Sequence, residues 1–213
     1  MVYGKAKKSY IKIIFASIIF LIINTNYLLS NSVRDFNING FEIGDSLLEH
    51  FTIDQINNSI SFDYDYKNSD LFRGIEIQNV EKKSNIKMDL SMEIFDSGQY
   101  AFSVTGSKLE IEDLSTGKFY KDNFNNCLID KDKIQKKINF IFPNTNHVSY
   151  ESPYYDLDDG KSIAYVTDFE FTDGKLRLYC VNWENEVELE RGFTDNMQLN
   201  LSSDKFLNWL KNN

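Results

Sequence analysis

Apolar and polar positions along this chain change rhythm several times, and each change marks an expected element. Residues 41–58, FEIGDSLLEHFTIDQINN, hold two capping-box patterns in succession, Ser46-x-x-Glu49 and Thr52-x-x-Gln55. In such a box the side chains at the cap and at the third helical position satisfy orphan amides, so two short helices are predicted. Alternation of period two follows. SFDYDY sets Phe62, Tyr64 and Tyr66 against Ser61, Asp63 and Asp65, and GIEIQ puts Ile75 and Ile77 on one face. Between Lys87 and Leu114 the faces can be used to choose the turns. A three-residue loop at Asp96-Ser97-Gly98 pairs Ile94 with Tyr100, Met92 with Phe102 and Leu90 with Val104. A two-residue loop would set Glu93 opposite Phe102, and mixed faces are costly in a half-buried sheet. A two-residue turn at Gly106-Ser107 then puts Val104 opposite Leu109 and Phe102 opposite Ile111. The expectation is a three-stranded antiparallel meander.

Helical spacing returns after Asp122, the expected cap. Phe124, Cys127, Leu128, Ile134, Ile138 and Ile141 share one side of a helix that Pro143 ends. Residues 144–161 show no period and read as a long loop, which inside a compact domain is functional or mobile. Asp173-Gly174 signals a two-residue turn. Folding about it pairs Phe171 with Leu176, Phe169 with Leu178 and Thr167 with Cys180 on one face. On the other it pairs Glu170 with Arg177, Asp168 with Tyr179 and Val166 with Val181. Tyr179, Val181 and Val166 are too apolar to face water, so a helix or a protein interface is expected over them. An acidic stretch, ENEVELERG, precedes a strand through Met197, Leu199 and Leu201 and a terminal helix capped by Ser202 or Ser203. Together these make an α+β fold, an antiparallel β-meander sheet of six to eight strands with two or three packed helices. Helix-then-meander occurs twice, so two such lobes are the variant arrangement.

The first 32 residues stand apart. Lys5, Lys7, Lys8 and Lys12 precede the apolar run Ile13–Ile23, no acidic residue occurs, and serines at 30 and 32 supply a small-residue cleavage site. This is the pattern of a signal peptide cut after Ser32. The alternative is an uncleaved membrane anchor over residues 11–29, for which the eleven-residue run is short against the about 20 residues a span needs. Residues 33–213 are then a single α+β domain, periplasmic or secreted, or held outside the cytoplasm by the anchor. Of the 23 basic side chains four lie in the leader, leaving 19 against 32 acidic ones, a net charge of −13. So acidic a body repels phosphate backbones, and nucleic acid is excluded as a partner.

The two cysteines, Cys127 and Cys180, both face inward in a chain addressed to an oxidising compartment, and a disulfide is the economical reading. Two buried thiols are the alternative. A catalytic cysteine needs an adjacent base, and only His50 and His147 exist. Gly160-Lys161-Ser162 lacks the earlier glycine of a phosphate loop, where Tyr155 stands instead, and no G-x-S-x-G occurs. No catalytic residue and no cofactor are therefore assigned. Asp156, Asp158 and Asp159 beside Gly160 are the one candidate metal set, because calcium takes several carboxylate oxygens on one turn. The spacing misses the EF-hand register, and a solvated acidic turn is the plain alternative. His147, Tyr150, Tyr154 and Tyr155 flank it as a candidate glycan- or protein-binding surface.

GFEIGDSLLEHF, GKSIAYVTDFEF, LRLYCVNWENE and the terminal FLNWL resemble a group of small uncharacterised exported proteins of AT-rich marine bacteria. The likeness covers most of residues 33–213 in outline, its motifs are structural, and it implies export without implying an activity. Three functions follow as expectations. The first is an exported non-catalytic protein that binds a macromolecule or glycan. The second is a hydrolase or calcium-dependent enzyme using residues 147–160, with His147 and the three aspartates as its carriers. The third is a membrane-tethered accessory protein.

Overall fold

Met197, Leu199 and Leu201 alternate with Gln198, Asn200 and Ser202, and this strand proves to be the one that unites the sheet. The computed structural model describes residues 31–59, 71–80, 98–121, 123–154 and 161–212. The expectations for SFDYDY, Leu90–Ile94, Asp122 and Tyr155–Gly160 lie outside the described residues. Among the described residues seven strands, β1 (Phe72–Ile77), β2 (Tyr100–Thr105), β3 (Glu110–Phe119), β4 (Asn146–Pro153), β5 (Ile163–Glu170), β6 (Gly174–Asn182) and β7 (Asn196–Ser203), form one antiparallel sheet. Their order is β1-β2-β3-β7-β6-β5-β4. Two meanders are present, β1-β2-β3 and β4-β5-β6, each preceded by a helix. They are not two lobes, because β7 pairs with β3 on one side and β6 on the other. Among the described residues the α-helices are α1 (Ile53–Asn57), α2 (Phe124–Ile141), α3 (Asn185–Arg191) and α4 (Asp204–Asn212), with single 3-10 turns at Val33–Asp35 and at Leu47–Glu49, the first of the two short helices expected. Among the described residues, no helix is long and apolar enough to cross a membrane.

One face of the sheet is apolar across six strands: Ile75, Phe102, Leu114, Leu201, Leu176 and Phe169 stand side by side. Helix α2 packs against β6 and β7 with Cys127, Ile134 and Ile138 buried, the stripe that a 3.6-residue period puts on one side. Cys127 and Cys180 join in a disulfide, Cα atoms 6.1 Å apart, which ties α2 to β6. The segment from Val33 to Leu47 fills the rest of this layer. Val33, Phe36, Ile38, Phe41, Ile43 and Leu47 are all buried in the same core. Phe36 stacks on Phe142 at 4.5 Å, and Phe41 meets Phe102 edge-on at 5.2 Å.

Several local expectations are corrected. Thr52 and Gln55 close their box, but Ser46 caps nothing and donates its hydroxyl to the Lys108 carbonyl (2.5 Å). Helix α2 is capped by Asn123, whose side chain accepts from the Asn125 amide (3.0 Å). Tyr100 and Phe102 pair with Ile77 and Ile75 on one side and with Thr116 and Leu114 on the other, while the expected partners Ile94 and Met92 lie outside the described residues. Alternation could not decide this, since Ile75 and Ile77 present the same apolar face. The β2–β3 loop holds four residues, 106–109, with Gly106 and Leu109 at positive φ, and Val104 faces Ile111. Glu112 is the extra residue of a β-bulge. Its buried carboxylate takes bonds from Ser203 (2.6 Å) and Lys205 (2.5 Å).

The last hairpin slips by two residues, which preserves both faces. Phe169 pairs with Leu176, Thr167 with Leu178 and Tyr165 with Cys180, while Asp168 pairs with Arg177 and Val166 with Tyr179. Thr172 and Asp173 make the turn, because both are held from outside the hairpin. The Asp173 carboxylate accepts from the Ser32 hydroxyl (2.7 Å) and the Val33 amide (2.8 Å), and the Thr172 amide donates to the Asn31 carbonyl (2.9 Å). Gly174 belongs to β6 and is needed for close approach. A Cβ there would overlap the Ser202 carbonyl oxygen and lie 2.9 Å from both Val33 methyls. Residues 146–153, expected in a loop, are the edge strand β4. Its side chains are nearly all exposed, so backbone pairing with β5 forms it without any hydrophobic signal.

Candidate functional site

The pleat that sends Met197, Leu199 and Leu201 into the core sends Gln198, Asn200 and Ser202 to the opposite, outer face. Strand pairing extends these positions into three polar rows. Ser103, Asp113, Ser202, Lys175 and Glu170 form the first; Ala101, Ser115, Asn200, Arg177 and Asp168 the second. The third runs Gly117, Gln198, Tyr179, Val166 and Tyr150. Helix α4 overhangs one side of this tray. Ser203 accepts from the Phe206 amide (3.1 Å) at its start, and Phe206 and Trp209 pack on the Phe72 ring at 5.2 and 5.0 Å. Opposite it stands a small second cluster. Val187 of α3 packs with Val181 and Trp183, bordered by Tyr179 and Tyr154. The expected helical cover over Val181 is therefore α3. Between the two walls lies a cavity of about 380 Å³, in the range of small-molecule sites.

The charges at one margin of the tray are spent on each other. Arg177 clamps Asp168 through Nε (2.8 Å) and Nη2 (2.9 Å), and Lys175 bridges Asp168 (3.4 Å) and Glu170 (3.0 Å). Burial pushes the Asp168 carboxyl up, but the Arg177 and Lys175 bonds outweigh it and hold it below the usual range. The same bond to Asp168 raises the Arg177 guanidinium further. Tyr150 donates to Asp168 (3.2 Å) and accepts from Arg177 (3.3 Å). Tyr179 donates to Gln198, whose amide passes on to Asn196 (3.2 Å).

The middle of the tray is less satisfied. Asp113 takes one bond, from the Ser202 hydroxyl, and burial pushes its carboxyl up to about 7, the Ser202 bond pulling partly back. Asn200 Oδ1 is shut off from water and has no hydrogen-bond partner, a costly arrangement unless something else fills the need. Ser115 lies directly across from Asn200, and Asp113 is about 7 Å along the same face of β3. A carboxyl, a hydroxyl and a carboxamide thus converge on one cavity.

The residues singled out from sequence are divided by the structure. Tyr150 and Tyr154 lie on the outer-face side of β4, while His147 is on the other side, its ring 5.4 Å from Phe169. Tyr154 packs edge-on against Trp183 at 4.7 Å and lines the cavity. Tyr155, Asp156, Asp158 and Asp159 lie outside the described residues. Among the described residues no group of three His, Cys, Asp or Glu side chains comes together as a metal ion requires. His50 sits 3.2 Å from Asp45. Asp113, Ser115 and Asn200 escaped the sequence reading. Their one advance signal was the amide and hydroxyl series Gln198, Asn200, Ser202 on a strand whose other face carries Met197, Leu199 and Leu201.

No family model, curated protein or solved structure matches the chain.

Proposed function

We propose that this protein is an exported, non-catalytic binding protein whose ligand sits on the outer face of the sheet, between α4 and the Trp183 cluster. The observation that carries this is the unspent polarity of that cavity. Asn200 Oδ1 is desolvated without a partner, and Asp113 is held near 7 with a single bond. Free energy lost on those groups is recovered when a ligand bonds them. Several features support the non-catalytic part of the reading. Both cysteines are consumed by their bond, and His147 faces away from the tray. Export is supported by the basic-then-apolar leader and by a disulfide of the kind that oxidising compartments maintain.

Two experiments test the reading. A crystallographic screen of polar fragments is expected to place its hits against Asp113, Ser115 and Asn200; hits that cluster elsewhere, or none, overturn the site. Intact mass of the protein made in a bacterial host, after thiol alkylation with and without reduction, is expected to show a shortened chain with both cysteines protected. A full-length mass with membrane retention would replace export by tethering.

A further inference from the structure

Resting on that reading, we propose that the ligand is a neutral saccharide, held by hydrogen bonds to Asp113, Ser115 and Asn200 with one sugar face against the apolar wall of α4. Charge decides the class first. Lys175 and Arg177 line the cavity but are neutralised by Asp168 and Glu170, so an anion finds no unpaired cation and meets the Asp113 carboxyl. A cationic ligand in turn finds Asp168 and Glu170 already paired with Lys175 and Arg177. What is unspent is an acceptor on Asn200, the second oxygen of Asp113 and the Ser115 hydroxyl. A sugar hydroxyl both donates and accepts, and so suits a carboxyl, a hydroxyl and a carboxamide without leaving any of them short.

Shape points the same way. The three groups lie on adjacent strand positions, about 5 Å across the strands and about 7 Å along β3, a spread that hydroxyls on different sides of one sugar ring can span. Leu207 and Leu210 of α4 line the same cavity, with Tyr154 and Tyr179 opposite. These offer the apolar and aromatic surface on which the C–H face of a sugar packs. Leu210 is 45% exposed, so part of its side chain is open to a ligand in the cavity. A volume of about 380 Å³ admits a mono- or disaccharide and the end of a longer glycan.

The test uses the 15N-labelled full body and three probe classes: a set of neutral mono- and disaccharides, spermidine as a polycation, and citrate as a polyanion. Amide shifts from at least one sugar are expected at residues 113–115, 177–179 and 198–202. Asn200→Ala is expected to weaken that sugar about tenfold, as the loss of one buried hydrogen bond implies. Ser115→Ala serves as a second variant should the first fail to fold. Tray shifts from spermidine or citrate with none from sugars would overturn the saccharide and leave the binding site standing. Sugar shifts outside the tray also overturn it. Silence of all three classes, joined to an empty fragment screen, removes both the ligand class and the site.

Discussion

Asp113→Asn is the substitution whose effect the structure specifies most fully. The wild-type carboxyl is moved from an ordinary 3.8 to about 7 by burial within the tray, which corresponds to about 4 kcal/mol against the ionised form. Asp113 borders an open cavity and keeps some contact with water, so about 2 kcal/mol is the working figure. The sign follows from proton binding. Folded protein holds this proton more tightly than unfolded protein, so wild-type stability declines as pH rises from about 4 to about 7 and the whole penalty is present above that. Asparagine keeps the oxygen that Ser202 bonds and removes the ionisation. Urea unfolding of both proteins across this range is therefore expected to show the variant about 2 kcal/mol more stable above pH 7, with the gap closing toward pH 4. A gap that does not change with pH would refute the reasoning, because it would mean that Asp113 ionises normally in the folded state. If the tray ligand is added, Asp113→Asn should bind it still, since the acceptor remains.

Three further outcomes are expected. Replacing both cysteines by alanine removes a cross-link between residues 53 apart in sequence and should cost about 4 kcal/mol in the chain-entropy account; a change under about 1 kcal/mol in denaturant unfolding would deny the disulfide its role. Gly174→Ala should cost about 3 kcal/mol, because the added methyl meets the Ser202 carbonyl and Val33 within packed strands; a neutral result would show that the Thr172-Asp173 turn and its register are misplaced. A body starting at Val33 should unfold about 1–2 kcal/mol more easily than one starting at Asn31. It lacks the Ser32 cap and the Asn31 carbonyl that accepts from the Thr172 amide and hydroxyl. Equal midpoints for the two would make those bonds incidental.

What could be read in advance was whatever depends on neighbours in sequence. The period of Cys127, Ile134 and Ile138 defined a helix face, and the period of Leu176, Leu178 and Cys180 a strand face. A two-residue slip leaves a strand's faces unchanged, so the inward direction of Cys180 survived an error in register. The α+β class followed from the same patterns. Strand β4 escaped because an edge strand with exposed side chains owes its existence to backbone bonds with β5, which leave no mark on composition. The turn of the last hairpin escaped because Asn31, Ser32 and Val33, 140 residues away, hold Thr172 and Asp173. The tray is the extreme case. Ser115 and Asn200 are neighbours only because β7, the last strand made, enters between β3 and β6. A hydrophobic face tells a strand which way to turn, but apolar side chains are interchangeable as partners. Which strand lies beside which, and so which polar groups meet on the outer face, is decided by the packing of the whole sheet.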